Sequence, residues 1–358
     1  MGTATPTLPS PAARLKGLTL SSGWVVTEEI PRLPGATGGQ YSCGYKVQRD
    51  GKTAFLKALD YSKAQEIALN TGIDTLTALQ GLINAYQFER NLLQDCKQKR
   101  MDRIVVALED GSVKVDDGIF GEVNYLIFES ADGDIRKHLA LFQNLDVIWI
   151  LKCLHHVATG LYQLHSAKVA HQDLKPSNVL VFDSNVSKVA DLGCASIQGA
   201  ISPRDDCEFA GDRTYAPPEL LYRSIDTDWR RRRQAADVYC LGSMVTFLFC
   251  GTSMTAMILA NMAPDHLYPV WGGSYSEVMA EIRDAFGLAI EQFSQSVPGE
   301  QLRKTLRETV SQLCDPEPSR RGHPSNRTGH TNPYSLERYV SLFSLLAQRA
   351  AVGILERK

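Results

Sequence analysis

The amino-acid sequence predicts an α+β protein in two parts, a small β-rich part with one main helix and then a larger helical part. Between residues 23 and 60, three runs of strand composition, WVVTEEI, CGYKVQ and TAFLKAL, are separated by turns rich in glycine. Past SADGD (130–134), which reads as a link, the pattern turns helical over 145–167, 233–250, 276–293, 300–313 and 335–350. With 358 residues the chain can bury a large core without staples.

Residues 1–19, rich in Pro, Ala and Thr, read as a flexible N-terminal tail. The first part is then expected over 20–131 and the second over 132–358. Residues 62–99 hold two helical stretches, the second (INAYQFERNLLQDC) with apolar residues at Ile83, Tyr86, Leu92 and Leu93. Two further strands are expected, RIVVALE (103–109) and VNYLIFE (123–129), around the turn DGSVKVDDG. No internal repeat or low-complexity segment interrupts this order.

Apolar residues make up 44% and charged residues 22%, and the formal net charge is −2. These are ordinary values for a soluble chain and point to no nucleic-acid or membrane partner. The eight cysteines, at 43, 96, 153, 194, 207, 240, 250 and 314, form no CxxC pair. That argues against a zinc ribbon or disulfide framework and for a reducing compartment, with the cytoplasm expected. No run of 18 apolar residues occurs, and the N-terminus lacks the apolar core of a secretory signal. Gly2 raises the question of N-myristoylation, but Pro6 stands where that signal wants Ser or Thr.

The chemistry concentrates in HQDLKPSN (171–178) and DLG (191–193), polar clusters bounded by apolar runs that deliver rigid element ends. In the D-x-K-x-x-N spacing, Asp173 can accept or orient a hydroxyl proton and Lys175 can neutralise charge growing on a transferred group. Asn178 and Asp191 are hard oxygen donors suited to a divalent cation. Phosphoryl transfer needs positioning and charge neutralisation more than covalent help, so such a set suffices. His155, His156 and His165 lie in a helical stretch with no matching ligand set and read as structural. The run WRRRRQ (229–234) reads first as a solvated face before a helix, and second as a docking patch for acidic or phosphate groups.

With these residues the chain resembles the eukaryotic-type protein kinase family over roughly 23–350. HQDLKPSN resembles its catalytic loop and DLG its magnesium-binding motif. GDRTYAPPE (211–219) looks like the end of the activation segment, and DVYCLG (237–242) like the start of the central helix of the large lobe. DPEPSRRG (315–322) is similar to the late motif whose arginine, here Arg321, pairs with the glutamate matching Glu219. The resemblance implies a two-lobed kinase-like fold, ATP and Mg2+ as cofactors and a protein substrate. It makes Asp173 and Lys175 catalytic and Asn178 and Asp191 metal ligands. AFLK (54–57) makes Lys57 the clamp on the nucleotide phosphates, paired with Glu89, with Glu66 as the rival. Gly38 and Gly39, in the irregular glycine-rich stretch PGATGGQYSCGYKV, are the phosphate-covering candidates. Glu129 to Ala131 are the hinge whose backbone would hold adenine, behind Phe128. Nothing sets the oligomeric state.

Three departures carry consequences. Gln172 replaces the arginine that in many members receives a phosphate on the activation segment, so activity is expected not to depend on phosphorylation there. Asp212 stands where a threonine commonly touches the catalytic aspartate, and a second carboxylate would repel Asp173 unless it turns toward a cation. Phe55 replaces the small residue that roofs the adenine. The reading is an active kinase of protein Ser or Thr, favoured over Tyr by Lys175. The alternative is a nucleotide-binding pseudokinase acting as an interaction module.

Overall fold

The computed structural model describes residues 9–31, 41–118, 120–140, 145–207, 210–328 and 332–353. The chain divides into two compact units, one holding the described residues up to Arg100 with Val105–Ala131, the other Met101–Ile104 with everything from Asp132 onward.

The first unit contains β1 (Val25–Ile30), β2 (Ser42–Arg49), β3 (Lys52–Leu59), α1 (Lys63–Thr71), α2 (Thr75–Gln98), β4 (Ala107–Lys114) and β5 (Glu122–Glu129). Its strands form one antiparallel sheet in the order β1-β2-β3-β5-β4. Asp50 and Gly51, both left-handed with φ of 50° and 74°, join β2 to β3 in the two-residue turn whose twist suits a hairpin. Along β3 the side chains alternate: Ala54, Leu56 and Ala58 are buried, and Phe55 and Lys57 point to the opposite face.

The buried face packs with Tyr45, Val47, Val123, Tyr125 and Ile127 and also with Ala12, Leu15, Leu20 and Trp24. The tail reading therefore fails for residues 9–19. Leu15 is fully buried, Pro11–Arg14 form a 3-10 turn, and the Tyr45 hydroxyl donates to the Ala12 carbonyl at 2.7 Å. The apolar residues spaced among the Pro and Ala of this segment cover one face of the sheet, and their burial outweighs the disorder that the composition suggests. Residues 1–8 lie outside the described residues.

The strand expected over 103–109 is displaced: β4 begins at Ala107 and runs through the supposed turn DGSVK. It is the last strand of the sheet, its burial alternates residue by residue, and a half-exposed edge strand tolerates polar residues that read as turn formers. Residues 101–104 belong to the second unit, where Ile104 bridges Val189 and the Val189 N–H donates to the Arg103 carbonyl at 2.9 Å. In α2 the buried stripe is Ala78, Leu82, Tyr86, Glu89, Leu92, Leu93 and Cys96, with Leu82 rather than Ile83 facing inward.

The second unit contains β6 (Gly133–Asp134), α3 (Ile135–Leu139), α4 (Val147–Ser166), β7 (Val169–Ala170), β8 (Val179–Phe182), β9 (Val186–Val189) and β10 (Ser196–Ile197). After them come α5 (Pro218–Leu221), a π-helical turn Arg230–Gln234, α6 (Ala235–Cys250), α7 (Met254–Ala260), α8 (Tyr275–Ser296), α9 (Glu300–Leu313), α10 (Pro324–Arg327) and α11 (Glu337–Ala351). Fourteen residues of α6 are buried, which makes it the central helix of the unit. Gly242 permits the close approach of α9: a Cβ there would stand 2.3 Å from the Cys314 sulfur. Among the described residues no single helix is long and apolar enough to cross a membrane.

Candidate active site

In the first unit, register sets the position of Lys57. It is paired with Gly44 on β2 and Leu126 on β5, and its ammonium meets the Glu89 carboxylate of α2 at 2.8 and 2.9 Å. Glu89 is buried, where a carboxylate needs such a partner. The rival Glu66 instead pairs with Lys63 on its own helix at 2.7 Å, with its side chain exposed. Phe55 lies on the same face as Lys57, its ring 6.4 Å from that of Phe128 and against Gly44, which has no side chain to obstruct it. Glu129 ends β5 opposite Ala54, and Ala131 closes the unit. Gly38 and Gly39 lie outside the described residues.

In the second unit, β8 and β9 form a hairpin with Val179 opposite Val189, so the residues flanking that pair, Asn178 and Ala190, are neighbours and the Ala190 N–H donates to the Asn178 carbonyl at 2.8 Å. One hairpin thereby brings Asn178 and Asp191 to the same end. The pairing of β8 with β9, Val179 to Val189 through Phe182 to Val186, fixes the register, and register places the two oxygen donors.

Asp173 is held by three donors. The Asn178 amide donates to its Oδ2 at 3.0 Å and to its carbonyl at 2.8 Å, Lys175 Nζ stands 3.0 Å from Oδ2, and the Asp212 backbone N–H donates to Oδ1 at 2.9 Å. Burial pushes the Asp173 carboxyl above its ordinary value, Lys175 opposes that shift most, and the charge of Asp191 adds to it. The second carboxylate does turn to a cation: Asp212 Oδ2 lies 3.8 Å from Lys175, and its Oδ1 accepts from the Thr214 N–H at 2.9 Å. The contact expected of a threonine side chain is made by the backbone at 212, which any residue supplies.

Gln172 and Asp191 both have left-handed backbones, with φ of 68° and 65°, strained positions for residues other than glycine. Gln172 is kept there by Asp237, whose fully buried carboxylate accepts from its N–H at 2.8 Å, from the His171 N–H at 2.7 Å and from His165 Nε2 at 2.9 Å. Burial alone would push the Asp237 carboxyl up, but His165 and these donors hold it below the usual carboxylate range. His171 links the loop to the hairpin, accepting from Asp173 N–H at Nδ1 (3.2 Å) and donating from Nε2 to the Ala190 carbonyl (3.0 Å).

Arg321 and Glu219 form a bidentate pair, 2.7 Å at both contacts, with both residues buried. The arginine run is the feature that the sequence reading misjudged. Arg231 pairs with Asp226 at 3.0 Å, but Arg233 is buried and Arg232 half-buried, and both turn inward to the segment around Asp205. The usable signal was Gln172: an arginine missing from the loop, with four more further along.

The family description "Protein kinase domain" matches residues 38–330. The chain belongs to the protein kinase family. Human cyclin-dependent kinase-like 2 is 33% identical to this kinase over 40% of the chain and 30% of its own length. Serine/threonine-protein kinase NLK2 of Xenopus tropicalis is 28% identical over 67% of the chain and 48% of its own length. Extracellular signal-regulated kinase 1 of Dictyostelium discoideum is 30% identical over 33% of the chain and 21% of its own length. The chain thus spans less than half the length of these relatives. The β-rich region followed by a helical one is the family's two-lobed fold class, and protein kinase domains in general use ATP and Mg2+.

Donor chemistry provides the fit to Mg2+. Among the described residues no group of three or more His, Cys, Asp or Glu side chains is gathered to hold a metal by itself. Mg2+ asks for less: one or two side-chain oxygens, with substrate phosphates and waters completing the octahedron. The Asn178 amide nitrogen is committed to Asp173, which leaves its side-chain oxygen as the hard donor, at the end of the hairpin that also carries Asp191.

Proposed function

We propose that the protein is an active ATP- and Mg2+-dependent kinase that transfers the γ-phosphoryl group to serine or threonine of a protein substrate. The observation that carries this reading is the three-donor hold on Asp173, which fixes one carboxylate in the loop after β7 while Asn178 bonds to it and Asp191 leaves the same end of the hairpin. Asp173 orients the substrate hydroxyl and takes its proton as the oxygen attacks phosphorus. Lys175, held between Asp173 and Asp212, neutralises charge on the transferred group. Lys57, oriented by Glu89, binds the nucleotide phosphates. Asn178 and Asp191 would hold Mg2+, which supplies Lewis-acid neutralisation of the phosphate oxygens. The backbone of Glu129 to Ala131 would receive adenine. All eight cysteines are free thiols, which supports a reducing compartment, the cytoplasm, as its place of action.

The test is transfer from labelled ATP and Mg2+ to a generic protein substrate, beside Asp191→Ala. Label on Ser or Thr that falls by about a thousandfold or more in the variant is expected. The second reading, a nucleotide-binding pseudokinase, is favoured by one observation, the Phe55 ring on the face of the sheet that carries Lys57. Nucleotide-dependent thermal stabilisation without transfer would establish it in place of the first.

A further inference from the structure

The segment from Asp191 to Glu219 contains three Ser or Thr residues, Ser196, Ser202 and Thr214. Two of them are buried and already engaged. The Ser196 hydroxyl donates to Asp205 Oδ1 at 2.7 Å and accepts from the Trp229 indole at 2.9 Å. The Ser202 hydroxyl accepts from the Ile197 N–H at 3.0 Å. A phosphate on either would have to break this packing.

The segment carries a fixed anion of its own. The Asp205 carboxylate accepts from Ser196 at Oδ1 and from the Ser202 N–H at Oδ2 (2.9 Å), and Arg233 Nη2 reaches Oδ1 at 3.3 Å and the Asp205 carbonyl at 3.0 Å. Arg232 adds bonds to the carbonyls of Asp205 (3.2 Å) and Cys207 (2.9 Å). The Arg233 guanidinium is also bonded to the loop that holds Asp173: its Nη1 donates to Gln172 Oε1 at 3.2 Å, and the Gln172 amide donates back to the Arg233 carbonyl at 2.9 Å. An arginine at 172 would put a second guanidinium against the first; the amide accepts from one instead.

We propose that Arg233 is a positioning residue that takes over the cationic function absent at Gln172, and that Asp205 is its permanent anion, so that the segment is held in order against the Asp173 loop without phosphorylation. A buried guanidinium bonded at once to the loop and to the segment couples the two, and a charged hydrogen bond of this kind is strong enough to decide which conformation is populated. The consequence for turnover rests on the kinase reading above; the consequence for segment order does not.

The experiment compares the phosphatase-treated full chain with Arg233→Met, Asp205→Asn, Asp205→Glu and the transposed double variant Gln172→Arg/Arg233→Gln. Hydrogen exchange of amides 196–207 is read beside steady-state kinetics. Arg233→Met and Asp205→Asn should exchange these amides about tenfold faster or more, and should lose about tenfold in kcat/KM for the protein substrate with that KM raised. KM for ATP should stay within about twofold. Asp205→Glu and the transposed pair should recover most of both effects, which a merely space-filling arginine would not allow. If Arg233→Met fails to fold, Asp205→Asn decides, since that side chain is 30% exposed. Wild-type exchange in both single variants, or loss of segment protection on phosphatase treatment, overturns the proposal. Should the wild type transfer no phosphoryl group, the function reading fails and the exchange data alone judge Arg233.

Discussion

At the scale of single residues the site is a problem of carboxylates. Two acids, Asp173 and Asp212, flank one lysine of the loop, the charge of Asp191 is felt at Asp173, and the interior penalises each charge unless a donor meets it. Burial raises the Asp173 carboxyl and Lys175 is the strongest influence pulling it back. A raised acid favours its protonated form in the fold, so its contribution to stability is largest below the ordinary carboxylate range and is lost as pH rises through the folded value. Catalysis has the opposite need, since the carboxylate must be ionised to take a proton. The acid limb of kcat should therefore lie above pH 3.8, and in Lys175→Met it should move to still higher pH while kcat falls roughly a hundredfold. A pH–rate profile of both proteins checks this, and an acid limb that moves down would show that Lys175 is not the group restraining Asp173.

At the scale of elements, packing decides what composition left open. Leu15 and Ala12 lie in a segment whose Pro and Ala content reads as tail, yet they close one face of the first unit's sheet. Leu15→Ala should cost about 2–4 kcal/mol in chemical denaturation, as for any core leucine, whereas a tail residue would change nothing. The same logic separates what was legible from what was not. The five long helices of the second unit were legible because their apolar residues repeat, and VLVF because an apolar run between polar motifs marks an element end, although the run alone did not say strand or helix. β4 was misplaced because an edge strand shows water half its side chains, so DGSVK looks like a turn to any reading based on polarity. Arg232 and Arg233 were misjudged because charge alone predicts solvent, and only the π-helical turn aims them inward at carbonyl and carboxylate groups distant in sequence. Motif order singled out Asp173, Asn178 and Asp191 as candidates; the backbone contact of Asp212 left no sequence signal, since any residue has an N–H.

At the scale of the whole molecule, one buried pair ties the end of the activation segment to the helical body of the second unit. Glu219 and Arg321 are 102 residues apart and meet twice at 2.7 Å. The guanidinium also donates to the carbonyls of Asp315 (2.8 Å), Pro316 (3.1 Å) and Ala235 (3.2 Å) and stands 5.0 Å from the Tyr239 ring centroid. Attraction to Glu219 holds the guanidinium charged despite complete burial. Removing one partner leaves the other as an uncompensated buried charge, so Glu219→Gln and Arg321→Met should each lose about 3–5 kcal/mol. Replacing both at once, in Glu219→Leu/Arg321→Met, removes the stranded charge and in many proteins restores stability. Here it should recover only part of the loss, because three carbonyls lose their donor and that cost survives the double change. Urea unfolding of the wild type, the single variants and the double variant measures each term in one cycle. A double variant as stable as the wild type would mean that the pair only fills space, and that the segment end is anchored by packing around Pro218, Leu220 and Leu221, which are buried beside Glu219.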